Sequence, residues 1–235
     1  IFDPAVQERL RGKVRDAIAG HVENPYCLGY VFIDLPVWSA ADGRGGASYV
    51  DFIRALEPEA PGRKAYAAFL AEGEGGQSAI DDEAFMNRIA EVYYSCVVDE
   101  IRKHDPYHLI LGDRFMALPD RTPDSILVTA SKHVDAISFQ PMGTRTMLRQ
   151  YIDRVFEITG KPVLLADVNT MTERPARDQG DTTAYETAAG EHTLAYYLDA
   201  ASSLYCLGIH RCTVRDYQPW NPQYHRRGLL KADDT

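Results

Sequence analysis

Five short apolar runs alternate with stretches of helical period, and this alternation limits the chain to few architectures. The runs are NPYCLGYVFID (24–34), YHLILGDRF (107–115), DAISFQP (135–141), GKPVLLADVN (160–169) and CLGIHRCTV (206–214). Between them, apolar residues recur every three or four positions in DDEAFMNRIAEVYYSCVVDEIRKHD (81–105), TPDSILVTASKHV (122–134), TRTMLRQYIDRVFEITG (144–160) and TAYETAAGEHTLAYYLDAASSLY (183–205). A further helix is expected at the start, where Asp3 precedes Pro4 in DPAVQERLRGKVRDAIAGH. No two runs are joined by a hairpin turn. Strands that alternate with helices in this way imply βαβ units and a parallel sheet.

Five strands do not close a barrel. Two architectures are compatible with the pattern: an open doubly wound sheet, or the last five strands of an eight-stranded barrel. A nucleotide-binding open sheet has little support, because LGDRF and QPMGT are not Gly-rich phosphate loops. Loop lengths favour the barrel. The segment 35–80 and the polar stretch VNTMTERPARDQGDTT (168–183) both leave the C-terminal ends of strands, where barrel enzymes build their sites. The expectation is therefore an α/β (β/α)8 TIM barrel, with residues 1–235 forming the C-terminal part of one domain. The chain would cover about strands 4–8, lack the three N-terminal strands, and carry a long insertion at 35–80.

With 25 Lys and Arg against 34 Asp and Glu, the net charge of −9 provides no broad positive field for nucleic acid or an anionic membrane. The basic cluster YHRRGLLK (224–231) is too short to reverse this. A neutral or weakly charged substrate fits better. No run reaches the roughly 20 apolar residues that a membrane span requires. Cys27, Cys96, Cys206 and Cys212 lack CxxC spacing and are expected to be buried thiols. His21, His104, His108, His133 and His192 fall on helices or strand starts, leaving only His210 at a strand end. That argues against a metal-dependent barrel hydrolase, and no cofactor or metal is expected.

The strand ends collect Asp34, then Trp38; Asp113 and Arg114; Gln140; Asp167 and Asn169; and His210 through Asp216. Alternation places Val163, Leu165 and Asp167 on one face of their strand. Ala136, Ser138 and Gln140 share the less bulky face of another, leaving Ile137 and Phe139 for the helices. Two carboxylates on one rim with aromatic and amide neighbours suit glycoside hydrolysis, in which one carboxyl protonates the leaving oxygen and the other attacks or activates water. Trp38 and Trp220 would offer flat apolar surfaces to sugar rings, and Arg114, Gln140 and Asn169 would bond hydroxyls. The plainer alternatives stay open. Either aspartate could cap a helix or turn, Asp113 and Arg114 could form an ion pair, and Trp220 could belong to a packed Pro-aromatic loop.

NPYCLGYVFIDLPVW, DPYHLILGDRF, VDAISFQP, GKPVLLADVN and RRGLLKADDT, in this order, resemble segments of clan A glycoside hydrolases, particularly the β-agarases and family 42 β-galactosidases. The resemblance implies a barrel that cleaves a galactose-containing polysaccharide, an active-site arginine at Arg114, a nucleophile at Asp167, and export or a periplasmic location. The chain also departs from the pattern. Leu35 occupies the acid/base position, Asp34 stands one residue earlier, and Asp167 replaces the usual Glu. The catalytic pair is accordingly expected to be Asp34 and Asp167, with Trp38, Arg114, Gln140, Asn169, His210, Asp216 and Trp220 binding the carbohydrate. Glu57 and Glu59 are alternative acids. The shorter Asp side chains would widen the carboxyl gap from the roughly 5 Å of retaining enzymes toward the 6.5–9.5 Å of inverting ones. The alternative to hydrolysis is a barrel that binds glycan without cleaving it, which the loss of the acid at Leu35 favours.

Overall fold

The computed structural model describes residues 1–39, 48–73, 78–116, 121–141, 148–168 and 183–212. Helices and strands alternate through it: α1 (Pro4–Ile18), β1 (Gly29–Asp34), α2 (Tyr49–Arg54), α3 (Pro61–Glu72), α4 (Ser78–His104), β2 (Leu109–Met116), α5 (Asp124–Ser131), β3 (Ile137–Gln140), α6 (Leu148–Thr159), β4 (Val163–Val168), α7 (Thr183–Ala201) and β5 (Cys206–Arg211). The strands form one five-stranded sheet in chain order, and β1–β2 and β4–β5 are parallel pairs. The chain divides into two compact units, Ile1–Ile137 and Ser138–Thr235.

In the first unit α1 begins where the Asp3 side chain accepts the Ala5 N–H at 2.8 Å, one residue before Pro4 enters the first turn. It lies against α4, to which it is tied by Arg15 and the buried carboxylate of Glu100, 2.8 Å apart. Phe85, Met86, Tyr94 and Ile101 of α4 are almost wholly removed from water, as are Ile110 and Phe115 of β2 and Ile126 and Leu127 of α5. The expected 35–80 insertion contains structure of its own. A reciprocal cap between Ser48 and Asp51 starts α2, and Pro61 starts α3. Arg54 bonds both the Tyr66 hydroxyl and Asp82, and Tyr66 meets Phe85 edge-on at 4.9 Å, so both helices join the core of this unit.

The second unit packs α6 and α7 beside β3, β4 and β5. Residues Val163–Ala166 and Val168 of β4 are buried on both faces, as a central parallel strand requires. Phe139 is also buried and meets Tyr151 of α6 edge-on at 4.9 Å, so its face of β3 is the helix-packed one. Gly160 ends α6 as expected from the sequence: its φ of +67° is left-handed and its N–H returns to the Phe156 carbonyl at 2.7 Å. The Phe156 and Tyr205 rings stack 3.7 Å apart.

The cysteines are only partly as expected. All four are free thiols, but Cys96 is buried whereas Cys27, Cys206 and Cys212 are half-buried. Among the described residues, no helix is long and apolar enough to cross a membrane.

Candidate functional site

Two register breaks shape the C-terminal ends of the strands. Along β1 and β2, Val31 pairs with Gly112 and Asp34 with Arg114, so β1 carries one residue more than β2 over that interval. Along β4 and β5, Leu165 pairs with Ile209 and Val168 with Arg211, again leaving one extra residue on the first strand. Such bulges bend a strand and re-aim its side chains. Each is accompanied by left-handed backbone at a residue other than glycine: Leu35, just beyond β1, has φ +48°, and Asp167 within β4 has φ +57°. Asp tolerates this region and Leu does not; such a conformation costs on the order of 1–2 kcal/mol for an ordinary side chain. Both positions are among those at which the resemblance leads one to expect catalytic groups.

In the first unit, Asp34 and Arg114 meet. One carboxylate oxygen of Asp34 accepts Arg114 Nε at 2.8 Å and Nη2 at 2.5 Å. Asp34 is 64% exposed and Arg114 only 19%, so the carboxylate orients a guanidinium that the fold has largely enclosed. The ion pair considered between Asp113 and Arg114 is not the one that forms. Adjacent strand residues point to opposite faces, and Asp113 is turned inward.

Asp113 is the feature that sequence reasoning missed. It is wholly buried, and its two oxygens take four donors. Oδ1 accepts the Ile33 N–H and the Tyr93 hydroxyl, each at 3.2 Å; Oδ2 accepts Trp38 Nε1 at 2.9 Å and the Tyr94 hydroxyl at 2.8 Å. Burial pushes the carboxyl above its ordinary range, while the tyrosine, indole and backbone donors pull against it. The tyrosines are pushed up in turn, first by burial and then by the neighbouring Asp113 charge. The available signal was Tyr93-Tyr94 in the middle of an amphipathic helix, together with a carboxylate inside an apolar strand.

This network corrects the expected role of Trp38. The ring is 5% exposed, its N–H is taken by Asp113, and it lies 5.7 Å from Tyr93 and 6.0 Å from Tyr94. It packs the exit of β1 instead of presenting an open face to a sugar. Glu57 and Glu59 are exposed, and Glu59 is paired with Lys64.

In the second unit, Gln140 ends β3, Asp167 lies near the end of β4, and His210 is exposed on β5. Gln140 and Asp167 are half-buried. Gln140 Oε1 is buried without a hydrogen-bond partner, as is Ser138 Oγ two residues earlier. Asn169, Asp216 and Trp220 lie outside the described residues. No group of three metal-ligating side chains occurs among the described residues.

The histidines away from the strand ends are mostly engaged. His108 joins Asp105 at 2.6 Å and the Asn24 carbonyl at 3.1 Å, His133 joins Glu91 at 3.0 Å, and His104 joins Glu100 at 3.2 Å. Asp105, fully buried, also accepts the Tyr30 hydroxyl at 2.5 Å and the N–H groups of Tyr107 and His108. Burial pushes Asp105 up, but these donors outweigh it and hold the carboxyl well below the usual range. This cluster sits at the N-terminal end of β2, away from the rim that carries Asp34 and Arg114.

No family model and no curated protein matches the chain in sequence. Its fold, however, is similar to that of solved structures. An agarase, AgWH50C, superposes with a TM-score of 0.76 at 19% identity, covering 99% of this chain and 37% of that one. An exo-β-agarase gives 0.76 at 18%, covering 100% and 36%, and BpGH50 gives 0.72 at 22%, covering 99% and 52%. A Bacteroides uniformis β-glucuronidase is more distant, with a TM-score of 0.53 at 14% identity. The chain thus matches these folds along nearly its whole length while spanning between a quarter and about a half of theirs.

Proposed function

We propose that this chain forms about strands 4–8 of a (β/α)8 barrel glycoside hydrolase acting on a galactose-containing or related polysaccharide. The observation that carries the reading is Asp167: a carboxylate on left-handed backbone, at a register break near the C-terminal end of a buried parallel strand. Similarity to agarase folds at low identity supports the barrel and suggests the substrate class. The position of β1 at the edge of the sheet among the described residues also supports it. Val31 and Ile33 are 45% and 44% exposed, beside an apolar groove of about 500 Å3 between α1, α4 and β1 that a preceding βα unit would fill.

In this reading Asp167 is the nucleophile or the base that activates water, and Arg114, held by Asp34, bonds substrate hydroxyls. Asp34 is either the acid or the residue that positions Arg114. Gln140, Asn169, His210, Asp216 and Trp220 complete the sugar contacts. A non-cleaving glycan-binding barrel is the second reading, favoured by Leu35 at the acid position and by the engagement of Asp34 with Arg114.

Release of reducing ends from agar, carrageenan and galactan by the full-length protein tests both. Loss of more than about a hundredfold in both Asp167→Asn and Asp34→Asn makes them a catalytic pair. Loss in Asp167→Asn with a raised KM alone in Asp34→Asn makes Asp34 a positioning residue. Saturable glycan binding with no release supports the second reading.

A further inference from the structure

The two most exposed tyrosines among the described residues stand at the entries of β1 and β2. Tyr26 is 94% and Tyr107 88% exposed, and both sit in the same local sequence, NPYCL (24–28) and DPYHL (105–109). In each turn the side chain two residues earlier accepts the tyrosine N–H, Asn24 Oδ1 at 3.0 Å and Asp105 Oδ1 at 3.1 Å. The two turns are tied side by side. His108 joins Asp105 through Nδ1 and the Asn24 carbonyl through Nε2, and the Leu109 N–H donates to the Leu28 carbonyl at 3.2 Å. Gly29 permits this approach, since a Cβ there would stand 2.2 Å from the Leu109 carbonyl oxygen. Two rings are thus displayed to water on backbone that hydrogen bonds already fix, so a ligand that binds them orders little of the chain.

We propose that Tyr26 and Tyr107 form a carbohydrate-binding platform at the N-terminal end of the strands, separate from the rim that carries Asp34 and Arg114. That the ligand is a glycan rests on the function proposed above; the chemistry of the platform does not. Pro25, Leu28 and Pro106 are exposed as well and add apolar surface without charge, which suits a neutral ligand. Sugar rings are such ligands: their C–H faces pack on aromatic rings while their hydroxyls bond the phenol oxygens. Size argues against a protein partner. Two tyrosines offer roughly 300–500 Å², well short of the roughly 800 Å² that each side of a stable protein interface buries.

The test measures how far a neutral agar oligosaccharide, or a neutral β-glucan oligosaccharide, protects Tyr26 and Tyr107 of the full-length protein from nitration, read residue by residue by mass spectrometry. Both tyrosines become protected, whereas Tyr49, 50% exposed and on α2, does not. In Tyr26→Ala the concentration that protects Tyr107 rises by about tenfold or more, and Tyr107→Ala does the same for Tyr26; the matching Phe variants stay within about threefold of wild type. No protection by either oligosaccharide, an Ala variant that leaves the other ring's protection unchanged, or a Phe variant as weak as Ala overturns the platform. So does protection by a proline-rich peptide alone. Both Ala variants keep Tm within about 2 °C of wild type, because the turns are held by other groups; a larger fall means that the ring is packed in the full-length protein and also overturns the proposal. The two proposals fail separately. Cleavage of agar without protection removes the platform alone, and protection by a glycan that is never cleaved removes hydrolysis alone.

Discussion

Replacing Asp113 with Asn tests whether its four-donor cluster holds the exit of β1. Each carboxylate oxygen accepts two hydrogens, and one donor on each oxygen cannot turn away: the Ile33 N–H on Oδ1 and the Trp38 indole N–H on Oδ2. The tyrosine hydroxyls can rotate to accept instead of donate. Asn supplies only one acceptor oxygen, so either orientation of its amide sets an NH2 against one of the two fixed donors. The site is fully buried, so water cannot relieve the conflict. The expected cost is one strong hydrogen bond and one unsatisfied donor, about 3 kcal/mol, or a fall in Tm of roughly 6–12 °C. Urea unfolding of Asp113→Asn beside wild type measures it. A cycle with Trp38→Phe makes the reasoning sharper. Phe keeps the ring beside Tyr93 and Tyr94 but removes the indole N–H, so the Asn amide can point into the vacated position. Asp113→Asn should then cost about 1–2 kcal/mol less in the Phe background than in wild type. Additive losses, or an Asn variant with the wild-type midpoint, would refute the fixed-donor argument.

At Asp167 a pair of substitutions separates backbone from carboxylate. Asp167→Gly relaxes the left-handed backbone, so stability is held or raised by up to about 1 kcal/mol while glycan turnover or binding is lost; Asp167→Ala should be about 1 kcal/mol less stable than the Gly variant in thermal melts. Gly112, at φ +66°, would place a new Cβ 2.9 Å from Val134 Cγ1, so Gly112→Ala should destabilise by roughly 1–3 kcal/mol in urea. Acid sensitivity follows from Glu100 and Asp105. Arg15 foremost, against the opposing effect of burial, holds Glu100 down to about 2, and Asp105 is lowered too, so both stabilise the fold above the ordinary carboxylate range and lose that contribution as pH falls toward 2. Glu100→Gln should flatten the urea midpoint against pH between about 5 and 2; an unchanged slope would contradict the assignment. If Asp34 and Asp167 prove to be the catalytic pair, the first product formed should have inverted anomeric configuration, as NMR of the fresh reaction would record.

Local chemistry determined the order of the elements in this protein apart from α2 and α3, which lie in the segment read as an insertion. The 3.6-residue period of α4 and α6, the doubly apolar run of β4, Pro4 behind its Asp3 cap and Gly160 at the end of α6 are short-range signals, and each produces the element it predicts. The identity of the strand-end residues was legible for the same reason, because a polar residue closing an apolar run is visible in the chain. The sequence could not determine how those residues pair. Asp113 and Arg114 are neighbours in sequence, yet strand alternation sends one inward to Trp38, Tyr93 and Tyr94 and the other to Asp34, 80 residues away. Trp38 reads as a sugar platform in the chain and becomes core only when α4 brings Tyr93 and Tyr94 against it. The left-handed backbone at Leu35 and Asp167 is equally silent in the sequence, since at a residue other than glycine it is imposed by the surrounding tertiary structure. The chain specified which chemical groups it carries, and only the tertiary structure decided which of them face one another.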